Sequence, residues 1–218
     1  MNMDKYLLEV KNVCKEFREG LALENISFTA ENGKIIGFVG HNGSGKTVLF
    51  KCICGLYQVT DGEILINNEK VGIGEKMPRN IAFTIEEPAF LGDYSGKKNL
   101  EFLYELRHKK DNEHIKEIMQ KVKLDYTSRK KVSKYSLGMK QRLAIAQILI
   151  EEAPILIFDE PMNGLDRQGI KEIRELILEE KEKGKIILLA SHNSEDIEYL
   201  CNEVYELEKG KVIDKKVK

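Results

Sequence analysis

Gly40-His41-Asn42-Gly43-Ser44-Gly45-Lys46-Thr47 is the stretch that decides the fold. It fits the pattern G-x-x-x-x-G-K-[ST] at every position, between an apolar run at 35–39 and a helical segment at 46–54. The chemistry needs that context. Glycines let the backbone curl until its N–H groups converge on phosphate oxygens, and the N-terminus of the following helix adds partial positive charge. Lys46 then supplies a point charge to the β- and γ-phosphates, and Thr47 a hydroxyl suited to Mg2+. The competing reading, a glycine-rich turn with a solvated lysine, leaves the flanking strand and helix unexplained.

A second apolar run, residues 155–158, delivers Asp159 and Glu160 at its C-terminal end. Open α/β sheets gather ligands at that edge. Asp159 suits a metal held through water, and Glu160 is placed to orient or polarise an attacking water. A third run, 186–190, ends in Ser191-His192. That histidine could reach a γ-phosphate or its product, although a lone histidine at a strand end is usually incidental.

The rest of the chain reads as strands at 6–13, 26–30, 63–66 and 81–85, an Asn67-Asn68 turn, and a closing hairpin over 204–212 with Gly210 in its turn. Helical periodicity runs from residue 99 to about 123, over 137–150 and over 167–183. Alternating strands and helices predict an α/β fold with a parallel core sheet. Residues 1–88 and 151–218 form that core, and 89–150 inserts as a helical block.

The 218 residues carry 35 Lys and Arg against 36 Asp and Glu, a net charge of −1, which removes the footprint of a general nucleic-acid binder. Apolar runs fall far short of the ~20 residues that span a bilayer. The first residues show no secretory signal, and no regulatory domain is expected after the hairpin. Cys14, Cys52, Cys54 and Cys201 form no metal-type cluster and read as reduced thiols. The expectation is a soluble cytoplasmic protein whose membrane work passes through a partner.

Taken together, these segments resemble the nucleotide-binding subunit of ABC transporters over essentially the whole chain. Residues 40–47 correspond to Walker A and 155–160 to Walker B. Tyr135-Ser136-Leu137-Gly138-Met139-Lys140-Gln141-Arg142 is signature-like, Asn163-Gly164-Leu165-Asp166 matches the D-loop, and His192 matches the switch histidine. The resemblance implies a P-loop NTPase with a RecA-like parallel-sheet core, an N-terminal antiparallel β subdomain and an inserted α-helical subdomain. It implies two cassettes, identical or not, packed head to tail around two ATP molecules. Each ATP would touch the 40–47 loop of one subunit and Ser136 and Gly138 of the other. Glu160, His192, Lys46 and Asp166 take the catalytic roles, with Asp166 at the dimer seam. Thr47 and Asp159 take the metal. Phe17 matches the aromatic that stacks on adenine; its other reading is a core phenylalanine beside a strand, and GTP stays open. Ser136 is also a good N-cap for the helix it opens, and both roles can hold at once.

Two departures stand out. The usual signature, Leu-Ser-Gly-Gly-Gln, is here Tyr135-Ser136-Leu137-Gly138-Met139, which keeps the serine and the second glycine. Ile85-Glu86-Glu87-Pro88 places Glu86 where a glutamine is usual. A carboxylate there could bind Mg2+ directly, and it would crowd Asp159 and Glu160, raising an apparent pKa. Both departures resemble the bacitracin and lantibiotic-resistance branch, which implies an ABC-2-type permease partner at the inner face of the membrane, with export of a peptide antibiotic or other amphipathic compound. The alternative, a soluble ABC-type ATPase acting on ribosomes or DNA, fits less well: there is one cassette, and no sustained heptads lie between Thr47 and Asp159. No nucleic-acid partner is expected.

Overall fold

The computed structural model describes residues 6–72, 78, 80–86 and 89–218. Glu87 and Pro88, which set the register at Glu86, lie outside the described residues. The chain opens with β1 (Leu7–Phe17) and β2 (Gly20–Glu31), then β3 (Ile35–Val39), α1 (Lys46–Ile53), β4 (Asp61–Ile66), β5 (Glu69–Lys70) and β6 (Ile81–Thr84). Helices α2 (Gly96–Glu105), α3 (Asn112–Lys121) and α4 (Leu137–Leu149) follow, with a 3-10 turn over Val132–Lys134 between the last two. Then come β7 (Ile155–Asp159), α5 (Arg167–Glu182), β8 (Ile186–Ala190), α6 (Ser194–Leu200), β9 (Glu203–Glu208) and β10 (Lys211–Val217).

The strands make two sheets. One is antiparallel in the order β2-β1-β4-β5; the other runs β10-β9-β3-β8-β7-β6. In the second sheet every neighbouring pair from β9 to β6 is parallel, and only β10 returns antiparallel to β9. The apolar runs seen in the sequence are continuous because both faces of this sheet are buried. Successive side chains feed opposite cores. Ile155, Ile157, Ile186, Leu188 and Ile36 pack with Phe28, Phe38 and Phe50 between the two sheets and α1. Leu156, Phe158, Ile187, Leu189 and Ile35 pack on the other face with residues of α2, α3, α4 and α5. Residues 89–150 thus contribute helices that share one core with the sheet.

The structure corrects several boundaries. The helical reading of 99–123 breaks in two: α2 stops at Glu105, and Asp111 caps α3 by accepting from the backbone N–H groups of Glu113 and His114 at 3.1 and 3.0 Å. The apolar spacing continued through the break because both helices bury the same face. The first strand runs on to Phe17, and β2 begins six residues earlier than the apolar pattern indicated. Strand β5 and helix α6 carried no strong sequence signal.

Glu180 on α5 is buried yet ionised. Burial opposes its charge, but Lys183 and Lys185 sit 2.5 and 2.7 Å from its two oxygens and hold its pKa below the ordinary value. A depressed folded pKa stabilises the native state above the unfolded pKa, and the gain is lost as pH falls through the folded value. Glu180→Gln should therefore destabilise the protein by about 1–3 kcal/mol at pH 7. The gap to wild type should shrink steadily below about pH 4.5 in denaturant titrations.

Candidate active site

Parallel strands in register end at one edge. Phe38 pairs with Ala190, Asp159 with Ala190, and Thr84 with Phe158. The residues just past those ends therefore meet around a cleft of about 1370 Å³, lined among others by Gly43 to Thr47, Glu86, Gln141, Asp159, Glu160 and Gly164.

The loop after β3 curls as its glycines predict. Gly40, Gly43 and Gly45 all have positive φ, and a Cβ on Gly40 would strike the Leu207 carbonyl oxygen at 2.2 Å. The turn between β9 and β10 braces it from outside: the Gly210 N–H donates to the Ser44 carbonyl at 2.9 Å, and Glu24 donates to Gly210 at 2.8 Å. Lys46 opens α1 with its ammonium folded back into the loop. It donates to the carbonyls of Gly40 at 2.7 Å and His41 at 3.2 Å, and to Ser44 Oγ at 3.4 Å. Asn42 lines the cleft mouth.

Thr47 Oγ1 donates to Asp159 Oδ2 at 3.2 Å, which ties α1 to β7. The Asp159 carboxyl is pushed above its ordinary pKa, chiefly by burial. Thr47, the backbone N–H of Glu86 and the charge of Lys46 pull the other way, and the charge of Glu86 adds a smaller upward push. The like-charge crowding expected at this position is thus present, but desolvation outweighs it. The Glu86 carboxylate itself turns to Lys51, with Oε1 2.8 Å from Nζ. That partner raises the Lys51 pKa.

Glu160 sits in left-handed backbone at φ 52°. Its N–H donates to the Ala190 carbonyl at 2.9 Å, and its carbonyl accepts from Gln141 Nε2 at 3.3 Å. Its carboxylate Oε2 lies 2.8 Å from His192 Nδ1. The two residues singled out at the ends of β7 and β8 are therefore in direct contact.

Other predicted residues do not line this cleft. Ser136 caps α4, its Oγ accepting from the Met139 N–H at 3.2 Å. Gly138 lies against the D-loop: a Cβ there would come 3.1 Å from the Gly164 carbonyl oxygen. Asp166 caps α5 through the Gly169 N–H at 2.8 Å. Phe17 is half-buried at the end of β1, edge-on to Tyr57 at 5.4 Å with Lys15 over its ring at 4.7 Å, and belongs to neither core cluster. Of the cleft-lining set, Asn42 to Thr47, Asp159, Glu160 and Glu86 come together in one subunit; Phe17, Gly40, His41, Ser136, Gly138, Asp166 and His192 do not line it. Sequence reasoning missed Lys51, Gln141 and the bracing role of Gly210. Each acts through a contact made by residues distant in the chain, which no local pattern announces.

The ABC transporter family model matches residues 23–163. An uncharacterised ABC transporter ATP-binding protein of Bacillus subtilis (strain 168), YybJ, is 37% identical over 206 residues, covering 94% of each chain. The bacitracin transport ATP-binding protein BcrA of Enterococcus faecalis is 34% identical over 217 residues, 98% of this chain and 70% of the relative. A solved ATP-binding subunit of an ABC transporter superposes with a TM-score of 0.87 at 29% identity, covering 97% of this chain and 90% of the other. With its phosphate loop, its acidic strand end and its histidine gathered at one sheet edge, the chain belongs to the ABC transporter family, as an ATP-binding subunit that hydrolyses ATP.

Proposed function

We propose that this subunit binds ATP with Mg2+, pairs head to tail with a second cassette, and drives export of a peptide antibiotic or other amphipathic compound through a separate ABC-2-type permease. The observation that carries the chemistry is the Glu160–His192 contact, with Glu160 lining the same cleft as the Thr47–Asp159 pair and the glycine loop.

Each residue has a task. Backbone N–H groups of residues 40–47 and the α1 N-terminus receive the phosphates, and Lys46 exchanges its loop carbonyls for phosphate oxygens. A hydroxyl and a carboxylate in contact suit a hard divalent cation, so Thr47 and Asp159 are the residues to hold Mg2+, with Glu86 as a third candidate. The metal would neutralise charge on the β- and γ-phosphates. Glu160 accepts a proton from the attacking water, and His192 holds that carboxylate in place while reaching toward the γ-phosphate. Ser136 and Gly138 do not line their own cleft. In a head-to-tail pair the α4 N-terminus would meet the γ-phosphate held by the partner. Phe17 would stack on adenine, and Asp166 would lie at the seam.

Similarity to a bacitracin transport protein supports the cargo class. Among the described residues no helix is long and apolar enough to cross a membrane, which fits a subunit that sits on the inner face of the membrane through its permease. Residues 89–150 form the arm that receives the permease, where Leu91 and Tyr94 are exposed apolar side chains.

Two substitutions test the chemistry. Glu160→Gln should still bind ATP and dimerise, with turnover lowered about 10²- to 10⁴-fold; wild-type-like turnover would remove Glu160 from the base role. Lys46→Ala should weaken ATP binding measured by equilibrium titration, because phosphate charge goes uncompensated. Unchanged affinity would refute its assignment to the phosphates.

A further inference from the structure

Glu86 presents its two ends to different partners. Its backbone N–H helps hold down the pKa of the Asp159 carboxyl, whereas its own carboxylate reaches Lys51 Nζ at 2.8 Å. The backbone takes a left-handed φ of 62° there, a conformation that non-glycine residues seldom adopt. Lys51 stands four residues after Thr47 on α1, so their Cβ atoms are roughly 5–6 Å apart on one helix face. The Glu86 carboxylate is thus held by a residue one helical turn from Thr47, and Glu86 lines the same cleft as Thr47 and Asp159.

The two partners are unequally anchored. The Lys51 side chain is 18% exposed and its ammonium also lies over the Tyr57 ring at 5.4 Å, whereas the Glu86 side chain is 63% exposed. Lys51 is the fixed member and Glu86 the one free to swing. Resting on the reading of Thr47 and Asp159 as metal holders, we propose that Lys51 is a positioning residue that competes with the nucleotide-bound metal for the Glu86 carboxylate. It keeps a second carboxylate off the metal until the metal outcompetes the ion pair. No step of hydrolysis is assigned to Lys51.

The competition is read from how much Mg2+ tightens nucleotide binding. A fluorescent ATP analogue is titrated with and without Mg2+, and the ratio of the two Kd values isolates the metal's share. In Lys51→Met the ratio should rise roughly two- to fivefold over wild type, the range set by a partly exposed ion pair. In Lys51→Met with Glu86→Gln the rise should vanish, since no carboxylate remains to be released. Lys51→Gln, which keeps a polar group over Tyr57, should shift the ratio in the same direction, and it serves if the methionine variant does not fold. An unchanged or lower ratio in the folded Lys51 variants would overturn the role of Lys51 while leaving the metal site intact. A rise that persists without Glu86 would overturn the competition. A wild-type ratio of one would overturn the metal reading of Thr47 and Asp159 and the inference with it.

Discussion

The parallel register of β6, β7, β8 and β3 is the constraint on which the rest depends. Four strands of equal direction, paired one-to-one, must end together. Their ends place Glu86, Asp159, Ser191 and Gly40 along one edge. A single-residue slip in β7 would swap Ile157 with Phe158 between the two cores and carry Asp159 away from Thr47. The burial of alternate side chains in two separate cores forbids that slip. Thus the geometry of the cleft is held by apolar packing some distance beneath it, and the polar contacts at the edge, such as the 3.2 Å Thr47–Asp159 bond, only complete what the register imposes.

That division explains what was legible in the sequence. Continuous apolar runs at 35–39, 155–158 and 186–190 can satisfy only doubly covered strands, so the sheet and the loop at its edge could be read directly. The glycine loop announced itself because Gly40, Gly43 and Gly45 all take positive φ, and a side chain on Gly40 would also collide with the backbone at Leu207. The split between α2 and α3 was hidden because hydrophobic spacing reports which face is buried, and both helices bury theirs against the same core. The Asp111 cap was the available signal. Glu160–His192 and Glu86–Lys51 were not legible, because they join residues 32 and 35 positions apart whose meeting depends on the order of strands in the sheet.

The departures from the usual family pattern share a physical character. Tyr135 is buried, and its hydroxyl accepts the Gly96 N–H at 3.2 Å; a Cβ on Gly96 would meet that oxygen at 2.7 Å. Leu137 lies across Gly164, where a Cβ would meet its Cγ at 2.4 Å. Glu86 has Lys51. Each larger or charged side chain is matched by a partner that makes room for it or neutralises it, which is how a local change is accommodated without shifting the backbone that carries the motif.

The Tyr135–Gly96 pair also ties the start of the helical block to the segment that leads into α4. Asn99 clamps the preceding loop, accepting from the Leu91 N–H at 2.8 Å and donating to the Leu91 and Ser95 carbonyls at 3.1 and 2.9 Å. From that loop, Gly92 and Tyr94 accept from Ser133 and Val132 at 3.0 and 2.9 Å, and Gly96 reaches Tyr135. The exposed Leu91 and Tyr94 are therefore stitched by backbone bonds to the segment that ends in Ser136. A force applied to the loop cannot move those side chains without moving the start of α4. Deforming the connection would mean breaking several hydrogen bonds at once, so a displacement of the loop that preserves them carries Ser136 with it.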